Sequence, residues 1–234
     1  MTDQNQHDPS IQDIKDHKRV NDILLGPLER PALQFFARNM PAWVTPDKLT
    51  AFGLFGSVVI FASYLLTRYN PAFLWLASLG FVINWFGDSL DGTLARYRNI
   101  QRPIYGFFVD HSLDAASETM IFISLGLSPY VRLDLALLAL VGYLLMSILV
   151  YIRTCVDGVF KISYSKLGPT EVRLLAIIAN TILFFSSNPQ WNTSAGVFGI
   201  YDLLVVFVIV ILYGFFIATT AQEIRRLQHV DKRA

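Results

Sequence analysis

Residues 88–114 read DSLDGTLARYRNIQRPIYGFFVDHSLD, which sets four aspartates, Asp88, Asp91, Asp110 and Asp114, among residues otherwise apolar enough to lie in a membrane. An ionised carboxylate in hydrocarbon is costly, so any fold of this chain must gather these groups and compensate them. Read as helix at 3.6 residues per turn, Asp88, Asp91, Gly92 and Ala95 share an arc of about 100°. Asp110 and Asp114 lie one turn apart on a second helix, with Gly106 one turn before them. The connection from Arg96 to Tyr105 is short, basic and contains Pro103. Two antiparallel helices can therefore aim two carboxylates each at a common point.

Two carboxylates about 4 Å apart repel by roughly 4 kcal/mol at an effective dielectric of 20. Clustered carboxylates suit hard divalent cations, which prefer oxygen ligands. Two such ions would cancel all four charges. A polar seam or ion pathway is the plainer alternative. The spacing also carries a resemblance. Asp88-Asp91-Gly92-Ala95-Arg96, nine residues, then Gly106-Asp110-Asp114 follows the pattern D-x2-D-G-x2-A-R-x8-9-G-x3-D-x3-D. Eight fixed positions match by chance on the order of once in 10¹⁰ windows. The stretch resembles the signature of the CDP-alcohol phosphotransferase family.

The rest of the chain reads as an all-α integral membrane protein, with 53% hydrophobic residues and a mean hydropathy of +0.45. Thr45-Pro46-Asp47 has the hydroxyl cap, proline and early acid of a helix start, and resembles the family's T-P-N-x-x-T segment, with Asp47 in place of asparagine. Six spans are expected, at about 49–67, 72–96, 103–127, 132–153, 169–187 and 201–224, each near the roughly 20 residues a crossing helix needs. With both termini cytoplasmic, only Arg68 and Arg132 of the 19 lysines and arginines fall in outside loops; the other 17 lie inside. The aspartates then sit near the cytoplasmic leaflet.

Residues 1–44 divide into a polar tail and an amphipathic pattern from Ser10, read as short interfacial helices interrupted at Gly26-Pro27 and Arg30-Pro31. Residues 45–226 form the six-helix transmembrane catalytic domain and 227–234 a basic tail. The first 21 residues lack a signal-peptide core, so the internal spans are expected to direct insertion, as in a prokaryotic inner (cytoplasmic) membrane protein. The basic residues are dispersed, which argues against nucleic acid as a partner. Cys155, the single cysteine, is expected in the core.

The resemblance implies a homodimer whose six helices enclose a polar cavity, and transfer of a substituted phosphate from a CDP-linked donor to a hydroxyl acceptor with release of CMP. Two divalent ions, Mg²⁺ or Mn²⁺, would be held by Asp88, Asp91, Asp110 and Asp114, with Asp114 also the general base. Asp88, Gly92, Ala95, Arg96 and Gly106 would line the nucleotide. Arg153, Lys161, Lys166 and Arg173 surround the connection between the fourth and fifth spans and would face a phosphorylated acceptor or lipid headgroups.

The favoured donor is CDP-diacylglycerol. The Asp110-His111 pair is similar to the aminoalcohol branch, which joins CDP-choline or CDP-ethanolamine to diacylglycerol, and Ala115 stands where the family often has a basic residue. Asn84 is either a support for the metal site or an interhelical hydrogen bond. Glu118 is expected to pair with a neighbouring helix, and His111 to pack or hydrogen-bond rather than ligate. A UbiA-type prenyltransferase, echoed by Asn84-x3-Asp88, and a divalent-cation transporter are the competing readings. Neither accounts for Gly92-x2-Ala95-Arg96.

Overall fold

The computed structural model describes residues 24–157, 168–186, 188–193 and 196–231. Among them the chain forms helices α1 (Gly26–Asn39), α2 (Pro46–Leu66), α3 (Phe73–Tyr97), α4 (Pro103–Leu127), α5 (Leu133–Asp157), α6 (Pro169–Phe185) and α7 (Ile200–Asp231). Between α6 and α7 an antiparallel hairpin, β1 (Gln190–Thr193) and β2 (Gly196–Gly199), pairs Gln190 with Gly199 and Thr193 with Gly196. The hydropathy pattern did not reveal this hairpin. Four helices, over Pro46–Leu66, Phe73–Tyr97, Leu133–Val156 and Ile200–His229, are long and apolar enough to cross a membrane. α4 matches α3 in length at 25 residues but carries Asp110, His111, Asp114 and Glu118, and α6 has 17 residues.

Local chemistry sets the boundaries. The Thr45 hydroxyl accepts from the Lys48 amide at 3.3 Å, and Pro46 opens α2 without wasting a donor. α3 ends where Asn99 takes a left-handed φ of 55°. There the Asn99 and Ile100 amides close onto the Arg96 and Ala95 carbonyls at 3.2 and 3.0 Å. This turn reverses the chain between the two halves of the motif, and Pro103 starts α4.

Arg30-Pro31 does not interrupt the chain as expected: Pro31 lies inside α1. A proline there forfeits one amide bond near the start of the helix. Leu33 and Ala37 offset the loss by packing on Val44, Leu49, Leu90 and Leu94. The earlier part of the amphipathic stretch lies outside the described residues. Cys155 is exposed on α5 rather than in the core. A helix facing lipid needs no polar outer surface, so apolar character did not report burial there.

The tightest packing joins α2 and α3. A Cβ on Gly56 would come 2.5 Å from the Asn84 nitrogen, one on Gly80 would come 2.7 Å from Ile60 Cγ1, and one on Gly87 would press into Gly53. Asn84 Nδ2 donates to the Gly53 carbonyl at 3.1 Å and to Ser57 Oγ at 3.0 Å, so Asn84 makes the interhelical bond. Farther along, the Tyr64 hydroxyl donates to Asn180 Oδ1 at 2.8 Å, and Asn180 Nδ2 donates to Ser78 Oγ at 3.2 Å. These bonds tie α2, α3 and α6 together. α2 also packs on α4, α5 on α4, and α7 on α5.

Gly56→Val is therefore expected to cost at least the upper end of the ~1–3 kcal/mol typical of overpacking, because backbone is what it strikes. Gly214→Ala, which meets nothing within 4 Å, is expected to hold or slightly raise the melting temperature. Thermal unfolding of the detergent-solubilised protein checks both.

Candidate functional site

The four aspartates come from the last turns of α3 and the first turns of α4. Asp91 is held by neutral donors: Thr50 Oγ1, from α2, lies 2.6 Å from Asp91 Oδ2, and the Gly92 amide donates to Asp91 Oδ1. Asp88 is held by a cation, with Arg173 Nη2 of α6 at 2.7 Å from its Oδ2. On α4, donor atoms of Asp110, His111 and Asp114 all lie within 4.8 Å of one another. Asp88 and Asp110 each act electrostatically on Asp91 and on Asp114, so the four carboxylates form one electrostatic group.

α3 and α4 reach this arrangement around α2, which packs on both. α6 adds the positive charge by packing on α3. Its first turn is fixed to α1. Glu29 accepts from Trp85 Nε1 at 2.8 Å and from the Thr170 hydroxyl at 3.0 Å, while Glu171 accepts from the Leu25 amide at 2.8 Å and from the Gly168 amide at 2.9 Å. Thr170, Arg173 and Asn180 recur at three- and seven-residue spacing, which puts the three contacts of α6 on one face.

The glycines of the motif differ from those of the α2–α3 seam. A Cβ on Gly92 would meet only the Arg96 guanidinium, at 3.3 Å, and one on Gly106 would meet nothing within 4 Å. Both therefore border space rather than a packed helix. Ala95 lies between Gly92 and Arg96 on α3 and is half-buried.

The three arginines of the connection separate as well. Arg98 donates to the carbonyls of Met40, Pro41 and Val44 at 2.5–2.9 Å, clamping the turn between α1 and α2. Arg102 pairs with Asp47 and stacks on Tyr105 at 4.1 Å. Arg96 bonds Thr93 Oγ1, its own α3 neighbour, at 3.1 Å.

Of the basic residues read around the fourth connection, Arg173 enters the aspartate group and Arg153 pairs with Glu223 of α7 at 2.7 Å. Lys161 and Lys166 lie outside the described residues. Glu118 and Tyr143 of the neighbouring α5 act electrostatically on each other. His111 packs between Phe107 and Tyr151, with ring centroids at 4.3 and 5.2 Å, yet it also brings a nitrogen beside both α4 carboxylates. The donor set, rich in carboxylate oxygen with one imidazole, fits a hard or borderline divalent ion such as Mg²⁺ or Mn²⁺.

Sequence reasoning missed Thr50 and the partner of Arg173. Thr50 closes the T-P-D-K-L-T segment that starts α2, so a signal for it was present. Nothing local connects Arg173 to Asp88, 85 residues away.

Residues 43–213 match the family model described as CDP-alcohol phosphatidyltransferase, more than half of the chain. The chain belongs to the CDP-alcohol phosphatidyltransferase family. Cholinephosphotransferase 1 of Rattus norvegicus is 29% identical over 182 residues, covering 70% of this chain and 44% of that protein. Its namesake in Homo sapiens is 27% identical over 180 residues, covering 70% and 43%. Archaetidylinositol phosphate synthase of Pyrococcus horikoshii is 32% identical over 104 residues, covering 44% and 52%. The chain thus spans about half the length of these relatives. Family membership displaces the prenyltransferase and cation-transporter readings.

Thr50→Val removes the side-chain hydroxyl from Asp91 without removing a carboxylate. It is expected to weaken divalent-cation affinity about tenfold or more while leaving the melting temperature within a few degrees, with Thr50→Ser restoring binding. Calorimetric titration with Mn²⁺ measures the affinity.

Proposed function

We propose that the chain is an integral membrane transferase that moves a substituted phosphate from a CDP-linked donor to a hydroxyl acceptor and releases CMP. The observation that carries this reading is the complete eight-position motif on α3 and α4, whose four aspartates form one electrostatic group inside the matched region. Bound at Asp88, Asp91, Asp110 and Asp114, two Mg²⁺ or Mn²⁺ ions would neutralise the donor pyrophosphate and the charge that develops on leaving CMP. Gly92, Ala95 and Gly106 leave room for the nucleotide, and Arg96 beside Gly92 offers the phosphates a guanidinium.

In the reaction the acceptor oxygen bonds the phosphorus that carries the donor's substituent, and the bond from that phosphorus to the CMP oxygen breaks. Asp114 takes the proton that the acceptor hydroxyl loses. Arg153, Lys166 and Arg173, which flank or lie in the sequence between the fourth and fifth expected spans, are assigned to the acceptor.

The catalytic body is residues 45–226, with an interfacial segment before it and a basic tail after it. Six spans with both termini cytoplasmic agree with the bias in lysine and arginine, in a prokaryotic inner membrane, and the working form is a homodimer. α6 is short for a span at 17 residues, and a short helix crosses where the bilayer thins around it.

CDP-diacylglycerol, the donor that the family resemblance of a six-span chain of this size favours, is the first to test. A second donor class has its own support: relatives named cholinephosphotransferase match 70% of the chain, which also carries the Asp110-His111 pair. Purified protein is expected to release CMP from one of CDP-diacylglycerol with lipid extract, or CDP-choline or CDP-ethanolamine with diacylglycerol. Chelator should abolish the release, and Asp114→Asn should lower it at least about a hundredfold. Folded protein that yields no CMP from any of these donors would overturn the reading.

A further inference from the structure

We propose that Arg173 is a resident counter-cation of the aspartate cluster, holding Asp88 while divalent ions are absent and passing to Glu118 when they bind. The inference rests on the metal-site reading above and adds a moving part to it.

The contact itself comes first. Arg173 Nη2 lies 2.7 Å from Asp88 Oδ2, with the two side chains only 13% and 23% exposed. A charge pair so little exposed is weakly screened. Asp91, by contrast, is held by a hydroxyl and an amide, which a cation can leave in place. A divalent ion that takes Asp88 has to compete with a cation already there.

A second carboxylate, Glu118 on α4, feels the charge of the same guanidinium. Arg173 acts electrostatically on Asp88, Asp114 and Glu118 alike. Glu118 lies one turn beyond Asp114 on α4, close enough to Tyr143 of α5 for the two to act on each other electrostatically. A guanidinium presents a fork of donors, so it can exchange one carboxylate for a neighbouring one by pivoting.

Charge balance then favours the exchange. Asp88, Asp91, Asp110, Asp114 and Glu118 together carry five negative charges when ionised. Two divalent ions and one guanidinium supply five positive charges. The filled site is neutral only if Arg173 stays in it, and Glu118 is the carboxylate that the ions leave over. A low-dielectric interior penalises any other count.

The test follows Mn²⁺ binding to the purified full chain in detergent, without nucleotide, by loss of the free-ion electron paramagnetic resonance signal. Arg173→Gln is expected to bind Mn²⁺ about tenfold more tightly, because nothing competes for Asp88. Glu118→Gln is expected to bind it about tenfold more weakly, because the displaced guanidinium has no second partner. Once Arg173 is already Gln, the added Glu118→Gln change should alter binding less than about twofold. That non-additivity separates an exchange of partners from two charges that merely set the local field. Additive effects overturn the proposal, and so does unchanged binding in Glu118→Gln alone, a result that stands even if Arg173→Gln fails to fold. Absence of Mn²⁺ uptake by the unaltered protein would sink the metal-site reading as well, which distinguishes the two failures.

Discussion

Negative charge held at close quarters in a low-dielectric bundle is the constraint to which the other features answer. Asp88, Asp91, Asp110 and Asp114 repel one another through a medium that screens them poorly. The chain answers with different partners for each half of the motif. On α3, Asp91 receives a hydroxyl and an amide while Asp88 receives the guanidinium of Arg173. On α4, Asp110 and Asp114 converge with His111 on a point that suits a divalent ion.

Such an arrangement needs rigid support, because a carboxylate displaced by an ångström loses its partner. The glycine seam between α2 and α3 brings Thr50 within hydrogen-bond reach of Asp91, since only residues without a Cβ allow those backbones so close. α6 is held at three levels on one face: Thr170 to Glu29, Arg173 to Asp88, and Asn180 to Tyr64 and Ser78. Through Glu29 and Glu171, α1 reaches the same helix. The amphipathic helix thus helps to position Arg173 as well as covering an apolar face.

The basic connection between the motif halves shows why residue type alone does not assign a role. Positive-inside bias accounts for Arg96, Arg98 and Arg102 equally. In the fold, Arg98 clamps the turn before α2 and Arg102 pairs with Asp47, so both spend their charge on structure. Arg96 keeps to its own helix beside Gly92, on the face where a Cβ would meet little else.

The sequence by itself determined the helices and the motif. Hydropathy placed α2 to α7 within a few residues, apart from the longer C-terminal ends of α5 and α7. The Thr45-Pro46 and Pro103 starts followed from capping chemistry, and the eight-position spacing pointed to the family. These are local properties, written within one or two turns of chain. What only the tertiary structure decided is which distant groups meet: Thr50 with Asp91, Arg173 with Asp88, and Arg153 with Glu223. Pro31 inside α1 and the exposure of Cys155 belong to the same class, since packing and lipid-facing geometry settled them. Periodicity fixes which face of a helix is apolar or charged. It does not say which helix lies against that face, and in a bundle in lipid both neighbours and solvent are apolar, so the pattern carries no sign of the choice.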